Sequence, residues 1–428
     1  MILKLFKKNI SKLFQNPKII TKKIFVLLKL VRQFIILIFE IPIYIFCVPI
    51  IFFILILNSF FRIRFGIIRS QPFGNSMLNM SLIKLFKNLE KSKSLDLFCY
   101  KKKFINTQLF KFAKREFSIS YLYKYFYNLS NLLRLKSLQF PKILDLRHRY
   151  SIFKDKQRRY ANYFPYFKFK NDEDKKAYGF LKKIGLSEES KFICIILRDS
   201  KYKTSLNDSI NYDYHSFRNV DEKNYEKTII KLIEKGYWVF RMGSIVENKL
   251  NINSKKFIDY PFLNERNDFL DIWLMANCHF CITSGTGLDM VSVCFGKPIV
   301  YTNLAEYKPP FFFFNSDLVI FKRIKSATTN KLLSLSEIKK NNLTNIMSKK
   351  ILDTKKLVLE ENSSEEIAET VIEMHEKLNN KNECENYNSQ KKFWQNLLEE
   401  NISDDSQNNF KTRIGKYYFE KNFFWLNN

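Results

Sequence analysis

Residues 284–298, SGTGLDMVSVCFGKP, contain three of the ten glycines of this 428-residue chain. The apolar run HFCIT (279–283) precedes them, and a second apolar run, IVYTN (299–303), follows. The two runs predict buried strands, and LDMVSVCF between them predicts a short helix that Gly296 and Pro298 close. Strand, helix and strand in this order predict parallel strands joined by a crossover helix.

The same alternation continues on the amino-terminal side of this stretch. KFICIILRDS (191–200), YWVF (237–240) and KFIDY (256–260) predict three more strands. The segments 221–236 and 267–278 have the apolar spacing of amphipathic helices. Short, continuously apolar strands that alternate with helices are typical of a doubly wound parallel sheet. We therefore predict an α/β fold for this part of the chain.

A second strand-helix-strand unit begins near residue 63. RFGIIRS (64–70) predicts a strand, MLNMSLIKLFKNLE (77–90) a helix and SLDLFCY (94–100) another strand. The connecting loop, QPFGNS (71–76), contains Gly74. In such a unit the first loop lies at the carboxyl edge of a parallel sheet, where ligands bind. On the composition of this loop alone, an ordinary connection is the simpler interpretation.

An apolar segment runs from Phe34 to Leu57, and its 24 residues contain one charged side chain, Glu40. It is long enough for a helix that crosses a bilayer. Nine Lys or Arg residues precede it, and Pro42 and Pro49 interrupt it. The absence of a small-residue cleavage site after it argues against a signal peptide. We predict membrane association through this segment, as a single span or as a re-entrant or interfacial anchor. A buried core segment of a soluble domain is the alternative.

The formal net charge of +30 indicates an anionic partner, which could be nucleic acid, an anionic membrane surface or a phosphorylated small molecule. Part of this charge reflects a bias toward Lys, Asn, Ile and Phe throughout the chain. Because no zinc finger, RNP-like strand or basic heptad accompanies it, we expect no nucleic-acid partner. The seven cysteines have no repeated spacing, and Cys278 and Cys281 fall on a buried-looking strand. We expect reduced thiols and no metal site.

Arginines follow several of the predicted strands. Arg198 ends the strand of KFICIILRDS, Arg218 lies in the loop after it, and Arg241 follows YWVF. Because the carboxyl ends of parallel strands share one edge of the sheet, we expect these side chains on the same edge. Arginine is suited to bidentate contact with phosphate, and several guanidinium groups on one edge favour an anionic ligand between them.

The turn formed by Ser284, Gly285, Thr286 and Gly287 reaches the same edge. Its backbone N–H groups and two hydroxyls precede a predicted helix, a position that attracts anions. No Walker lysine follows and no G-x-G-x-x-G pattern fits, so neither a P-loop ATPase nor a dinucleotide fingerprint is supported. Taken alone, the turn fits packing as well as ligand binding. Its convergence with the arginines favours a phosphate site.

Polar side chains that accompany the arginines include Asp199, directly after Arg198, and His215, in the loop NYDYHSFRNVD (211–221). An imidazole titrates near neutrality, so His215 could act as a base or donate to phosphate. A single loop histidine is more often a surface or hydrogen-bonding residue, and this interpretation stays open.

Several segments resemble a bacterial family assigned as glycosyltransferases and found among surface-polysaccharide proteins. The matching segments are LRDSKY (197–202), DYHSFRNVDEKNY (213–225), KGYWVFRMG (235–243), the block from Ile258 to Asn303, ENSSEEIAETVIEM (361–374) and RIGKYYFEKN (413–422). The resemblance covers most of residues 190–305 and parts of the tail.

The resemblance implies a GT-B-like fold with two Rossmann-like domains, each with a parallel sheet, after the hydrophobic segment. We expect a membrane-associated segment at 1–62, an acceptor domain at 63–175, a nucleotide-sugar domain at 176–380, and a polar linker with an aromatic tail at 381–428. The implied reaction is transfer of a sugar from a nucleotide-sugar donor to a surface glycan or lipid-linked acceptor. The implied location is the cytoplasmic face of the inner membrane.

The same resemblance implies roles for individual residues. Arg198, Arg218 and the turn 284–287 carry the donor diphosphate, an electrostatic task that such enzymes generally perform without a metal ion or other cofactor. His215 and Asp199 lie nearby as catalytic candidates. Weaker candidates are Asp289 and Glu306.

The first loop departs from the family pattern. Where the family typically has R-I-G-H before a helix, this chain keeps Gly74 but has Gln71, Pro72, Asn75 and Ser76 around it. A proton acceptor or phosphate contact expected from this loop is missing. Either its role has moved elsewhere or activity is altered or lost. A noncatalytic, membrane-anchored nucleotide- or sugar-binding protein is therefore the alternative function.

Overall fold

The structure is a computed structural model that describes residues 17–90, 93–142, 146, 165–199, 201, 213–307, 317–346, 348–380, 390, 393, 394, 396, 397 and 412–422. The chain divides into two compact units. Unit 1 comprises Met1–Ile67, Ser92–Lys101 and Phe117–Phe140, and unit 2 comprises Ile68–Lys91, Lys102–Glu116 and Pro141–Asn428. The domain boundaries expected at residues 62, 175 and 380 stay a prediction.

The amino-terminal elements include the three strands of a small sheet. In chain order they are α1 (Pro17–Leu57), β1 (Arg62–Ile67), α2 (Phe73–Leu89), β2 (Ser94–Cys99), α3 (Thr107–Glu116), β3 (Ser118–Ile119), α4 (Tyr123–Leu132), a 3-10 turn (Lys136–Leu138) and α5 (Asn171–Lys183). The strands pair in the order β1-β2-β3, and both pairings are parallel. The predicted strand-helix-strand unit with parallel strands is therefore confirmed.

The elements from Phe192 onward build a larger sheet. They are β4 (Phe192–Ile196), two 3-10 helices (Asp213–Arg218 and Glu222–Tyr225), α6 (Glu226–Glu234), β5 (Trp238–Met242), β6 (Phe257–Asp259), a 3-10 helix (Tyr260–Phe262), α7 (Asp268–Asn277), β7 (Cys281–Thr283), α8 (Asp289–Cys294), β8 (Ile299–Leu304), β9 (Leu318–Phe321), β10 (Arg323–Ser326), α9 (Leu335–Lys340), α10 (Lys349–Thr354), β11 (Leu357–Glu360), α11 (Ser364–Asn380), β12 (Arg413–Ile414) and α12 (Lys416–Lys421).

Seven strands of unit 2 form one sheet in the order β12-β9-β8-β7-β4-β5-β6, and every pairing in it is parallel. The central strand β4, FICII, is buried along its whole length, as its uninterrupted apolar sequence predicts. The α/β class and the parallel sheets are thus confirmed. A separate antiparallel pair, β10 with β11, has no counterpart in the sequence analysis.

Local sequence explains where helix α7 begins. Asn267 caps α7, and its side-chain oxygen accepts hydrogen bonds from the N–H groups of Phe269 and Leu270. Helix α2 of unit 2 packs against α8, where the Ser81 hydroxyl donates to Cys294 Sγ at 2.9 Å. These contacts place the first turn of α2 beside the segment that leads into α8.

The predicted apolar segment forms the second half of α1, a 41-residue helix that continues through Pro42 and Pro49. Among the described residues, Ile38–Leu57 is the one helical stretch that is long and apolar enough to cross a membrane by length and composition. One face of it packs against α4 and β1 of unit 1, while most of its large apolar side chains are exposed.

A buried ion pair joins the first two strands of unit 1. Arg64 Nε lies 2.7 Å from Asp96 Oδ1, and Arg64 Nη2 donates to the Ser94 hydroxyl at 2.8 Å. Both charged side chains are almost fully buried. Each charge therefore depends on the other for compensation of its lost hydration.

Removal of one member of this pair should destabilise the protein more than removal of both. We expect Arg64→Met to lower the free energy of unfolding by roughly 3–5 kcal/mol, because it strands the Asp96 carboxylate. The double variant Arg64→Met/Asp96→Leu should lose clearly less. Urea unfolding of the two variants and of Asp96→Leu measures the difference, and strictly additive losses would contradict the interpretation.

Candidate functional site

The strand order of the large sheet reverses between β4 and β7. From β4 the chain continues outward through β5 and β6, and then returns to β7 on the other side of β4. In open parallel sheets the connections after two such strands leave on opposite faces, so a crevice is expected at the carboxyl ends of β4 and β7. Crevices at such reversals are the usual ligand sites of open parallel sheets.

Hydrogen bonds join the ends of β4 and β7 at this reversal. The N–H of Arg198 donates to Ser284 Oγ at 2.9 Å, and the N–H of Ser284 donates to the carbonyl of Ile196 at 3.3 Å. Ser284 is buried. The Arg198 carbonyl in turn accepts from the N–H of Val220 at 3.1 Å, which holds the long loop against the same edge.

Arg218 ends the 3-10 helix Asp213–Arg218 and reaches the turn after β7. Its Nη2 donates to the Gly285 carbonyl at 2.9 Å, and its Nη1 lies 4.0 Å from Glu306 Oε1. The side chains of Arg218 and Glu306 are each 27% exposed. The guanidinium group thus lies at the mouth of the crevice with further N–H donors available to a ligand.

A buried lysine sets the position of Arg218. Lys322 Nζ donates to the carbonyls of Asn219 at 2.5 Å and Phe217 at 3.3 Å, the residues on either side of Arg218. Burial lowers the pKa of Lys322, and the neighbouring Glu361 carboxylate, 3.3 Å away, acts in the opposite direction. No sequence signal distinguished this lysine from the many others, because its role depends on contacts between distant segments.

The turn 284–287 uses most of its own backbone donors inside the protein. The N–H of Gly285 donates to Thr283 Oγ1 at 3.0 Å, and the N–H of Thr286 donates to Asp289 Oδ2 at 2.8 Å. With Ser284 N–H also engaged, the described hydrogen bonds leave the amide of the exposed Gly287 for a ligand. The Asp289 carboxylate thus binds one of the amides that the sequence pattern predicts for an external anion.

Burial dominates the ionisation of Asp289. It raises the pKa of this carboxyl from its ordinary value of 3.8 to about 6, although hydrogen bonds from Thr286 N–H and the Thr283 hydroxyl and the charge of Arg218 all lower it. Asp289 is therefore able to change its charge within the range of a cellular pH shift.

The first loop and the turn after β7 meet through two glycines. A Cβ atom on Gly74 would lie 2.9 Å from both the Cα and the carbonyl oxygen of Gly287, and a Cβ on Gly287 would lie 3.2 Å from the Gly74 nitrogen. The two backbones therefore touch, which only residues without side chains allow. Near this contact, in the first turn of α2, Ser76 is fully buried and its hydroxyl has no hydrogen-bond partner among the described residues.

The structure separates Arg241 from the other basic residues. Its guanidinium is buried, donates to the Asn248 carbonyl at 2.6 Å and lies 3.4 Å from the Asp259 carboxylate. Arg241 thus neutralises Asp259 between β5 and β6, two strands away from β7. Arg241 therefore has an internal partner, and the expectation that it shares a ligand with Arg198 and Arg218 stays a prediction.

For the two catalytic candidates, the structure describes the side chain of Asp199 but only the backbone of His215. The Asp199 carboxylate accepts from the N–H groups of Lys201 at 3.0 Å and Glu247 at 3.1 Å, so it organises two loops. The backbone of His215 lies in the 3-10 helix Asp213–Arg218, and its side chain lies outside the described part of the chain.

A buried polar network, which the sequence did not predict, supports the carboxyl end of β8. Asn303, in β8, has a left-handed φ of 55° and exchanges backbone-to-amide hydrogen bonds with Asn362 at 2.6 and 2.7 Å. Its Nδ2 also donates to Tyr225 Oη at 3.1 Å, and Tyr225 pairs with the Thr302 hydroxyl at 2.7 Å. The buried network holds the end of β8 beside that of β7.

In the described residues, no group of three or more His, Cys, Asp or Glu side chains is placed to hold a metal ion.

Comparisons with known proteins find only a distant structural similarity. No protein-family model matches the chain, and no curated protein matches it. Similar solved structures include the ADP-heptose LPS heptosyltransferase II of E. coli, which is 13% identical with a TM-score of 0.35 over 60% of this chain and 90% of that one.

A glycosyl transferase family 9 protein of Veillonella parvula is 12% identical, with a TM-score of 0.40 over 75% of this chain and 98% of the other. The E. coli heptosyltransferase WaaC with ADP is 9% identical, with a TM-score of 0.31 over 67% of this chain and all of that one. At such low identities and scores the likeness decides nothing about the activity of this chain.

The contact between the two glycines predicts a difference between two glycine-to-alanine variants. Gly74→Ala should lower the free energy of unfolding by roughly 1–3 kcal/mol, because the new methyl group must displace the backbone of Gly287. Gly179→Ala, in the middle of α5 with no atom within 4 Å of its Cβ position, should be neutral or slightly stabilising. Thermal and urea unfolding compare them; equal stabilities would show that the two backbones do not touch.

The raised pKa of Asp289 predicts a pH-dependent stability. The folded state binds the proton more tightly than the unfolded chain, so this carboxyl stabilises the fold fully below about pH 4, and the contribution is lost as the pH rises through about 6. Relative to Asp289→Asn, which does not ionise, the wild type should gain roughly 2 kcal/mol on going from pH 7 to pH 4. Urea unfolding at a series of pH values gives this difference, and a constant offset between the two proteins would refute it.

Proposed function

We propose that this protein is a glycosyltransferase that moves a sugar from a nucleotide-sugar donor to a surface-glycan or lipid-linked acceptor. The proposal rests on one observation. Arg198, Arg218 and the turn 284–287 lie together at the strand reversal between β4 and β7. The resemblance of these segments to surface-polysaccharide glycosyltransferases favours a nucleotide sugar over other phosphorylated ligands.

In the proposed reaction the leaving group is a nucleoside diphosphate, which gains negative charge as the bond to the sugar breaks. The guanidinium of Arg218, held by Lys322 and the Gly285 carbonyl, stabilises that charge, and Arg198 and the Gly287 N–H lie on the same edge. Fixed positive groups in a partly enclosed crevice are effective because they need no reorganisation during the reaction. This charge comes from the protein, so the proposed reaction requires neither a metal ion nor a further cofactor.

The acceptor hydroxyl attacks the anomeric carbon while the bond from that carbon to the diphosphate oxygen breaks. We assign removal of the hydroxyl proton to His215 and orientation of the neighbouring loops to Asp199, whose carboxylate binds the Lys201 and Glu247 amides. Arg241 takes a structural place in this scheme, because it pairs with Asp259.

The proposed partners are the nucleotide sugar, the acceptor and an anionic membrane surface, with no nucleic acid. The proposed location is the cytoplasmic face of the inner membrane, where α1 provides the attachment. A lipid-linked acceptor would then lie in the same membrane to which the protein is attached.

The alternative is a noncatalytic nucleotide- or sugar-binding protein, which the composition of the first loop favours. Gln71 binds the Lys103 carbonyl at 3.0 Å, and the α2 cap residue, Pro72, supplies no side-chain hydrogen bond. No imidazole is present in this loop. The two functions differ in one measurement, since an enzyme releases a nucleoside diphosphate and a binding protein retains its ligand unchanged.

Release of nucleoside diphosphate from a panel of nucleotide sugars tests the proposal with full-length protein in membranes. Arg218→Gln should reduce turnover by about a hundredfold or more, because it removes a charge that faces the leaving group. Arg266→Gln is a matched control, since Arg266 also binds one backbone carbonyl, that of Gly243, and one carboxylate, that of Asp271, and its side chain is 26% exposed.

Turnover that survives in Arg218→Gln at the level of Arg266→Gln would refute the assignment of Arg218. Binding of a nucleotide sugar without release of its diphosphate, for every sugar in the panel, would favour the alternative function. Circular dichroism and unfolding midpoints of both variants show whether a loss of turnover reflects a loss of folded protein.

A further inference from the structure

One stripe of α1 is held against the rest of unit 1 over several turns of helix. Glu40, Tyr44, Cys47 and Ile51 follow one another at steps of four, three and four residues, which places them on one face. Cys47 and Ile51 are buried and belong to the apolar cluster of unit 1.

The partner of this stripe is α4 together with β1. Lys124 Nζ donates to Glu40 Oε1 at 2.6 Å, and Asn128 Nδ2 donates to Tyr44 Oη at 2.7 Å. The rings of Tyr44 and Tyr125 meet edge to face at 5.2 Å. Burial lowers the pKa of Lys124 and the bond to Glu40 raises it, with a net upward direction, so the ion pair is present at neutral pH.

The other face of the same helix is apolar and open. Phe39, Phe46 and Phe53, at intervals of seven residues, are 74%, 70% and 59% exposed. The exposed apolar residues that extend this face are Ile38, Ile41, Ile45, Phe52 and Ile56, with Phe60 and Phe61 just beyond the helix. One face is therefore committed to protein, and the other has no protein partner in the described part of the chain.

We propose that α1 lies in the plane of an anionic membrane, with the exposed stripe inserted into one leaflet and unit 1 resting on the surface. The packed stripe from Glu40 to Ile51 binds a unit that contains a three-stranded open sheet. Open sheet edges do not enter the hydrocarbon region, since their N–H and C=O groups have no partners there. Unit 1 therefore stays in the aqueous and headgroup layers, and it keeps the attached face of α1 at the same depth.

The positive charge of the chain favours an anionic bilayer as the surface that the exposed stripe contacts. Glu40 is the first acidic residue of the chain, and nine Lys or Arg residues precede it. A second copy of this chain would carry the same basic segment and a net charge of +30, so pairing through this face would bring like charges together. An anionic leaflet combines apolar depth with negative charge at its surface. This inference does not depend on the proposed activity.

Depth measurement by fluorescence quenching distinguishes the in-plane helix from a spanning one. Three variants are made in a Cys384→Ser background: Phe39→Cys, Phe46→Cys and Phe53→Cys. Each is labelled with a nitrobenzoxadiazole probe and bound to phosphatidylcholine vesicles that contain about one-third phosphatidylglycerol. Lipids with nitroxides at different depths then locate each probe. The six cysteines that the structure describes are buried and should not be labelled.

The in-plane helix predicts one shallow depth for all three probes. A spanning helix places the three probes about 10 Å apart along the membrane normal, at about 1.5 Å per residue. The probe at residue 46 would then lie much closer to the bilayer centre than those at residues 39 and 53, and this result would overturn the proposal. Stronger binding to vesicles with phosphatidylglycerol than to phosphatidylcholine alone is also expected, and equal binding to both would contradict the assigned lipid charge.

Charged substitutions test the exposed stripe independently. Phe46→Asp/Phe53→Asp should reduce vesicle flotation by about tenfold or more, because both side chains are exposed in the protein and apolar in the leaflet. The matched control Ile230→Asp/Val358→Asp places the same charges on exposed apolar residues of unit 2 and should bind normally. Unchanged flotation of the charged variant would overturn the proposal. If the charged variant fails to fold by circular dichroism, the depth profile decides the question alone.

Discussion

The pairing of β4 with β7 is the constraint on which the candidate site depends. It brings together the ends of two strands that are separated by two other strands in the chain, and the Arg198–Ser284 hydrogen bond joins those ends directly. Strand reversal opens the crevice, and the same pairing determines which loops border it. The loop that carries Arg218 is then held from outside the sheet by Lys322, a buried cation whose free energy of burial is offset by two carbonyls and a carboxylate.

Glycine has a specific use in a chain that contains so few. The contact between Gly74 and Gly287 joins the first loop to the turn after β7 with no space for a Cβ atom. The neighbouring amides of the turn bind Thr283 and Asp289 rather than an external anion. The described contacts at this edge are therefore the guanidinium of Arg218 and a close backbone approach, while most amides of the turn are bound inside the protein. A diphosphate bound as proposed would then be recognised mainly by formal charges, which are more sensitive to substitution than backbone dipoles.

Unit 1 combines two requirements that normally exclude each other. Its α1 has the length and composition of a membrane span, yet the Glu40–Lys124 pair and the buried Cys47 and Ile51 attach it to a unit with an open parallel sheet. A helix with one face in protein and one in lipid satisfies both. An enzyme held in this way would meet a lipid-linked acceptor at the surface of the leaflet in which that acceptor is anchored.

The sequence by itself determined the class of fold and the type of the elements on either side of the strand reversal. Continuous apolar runs such as FICII in β4, and the apolar spacing and Asn267 cap of α7, depend on neighbours within a few residues, so they can be recognised without the structure. The same local rules treated Arg198 and Arg241 alike, since each follows a buried strand. Tertiary structure alone separated them, because strand order places Arg198 beside β7 and Arg241 beside Asp259. Lys322, the Asn303–Asn362 exchange and the seam of α1 on α4 were likewise decided by contacts between residues far apart in the chain, for which local periodicity contains no information.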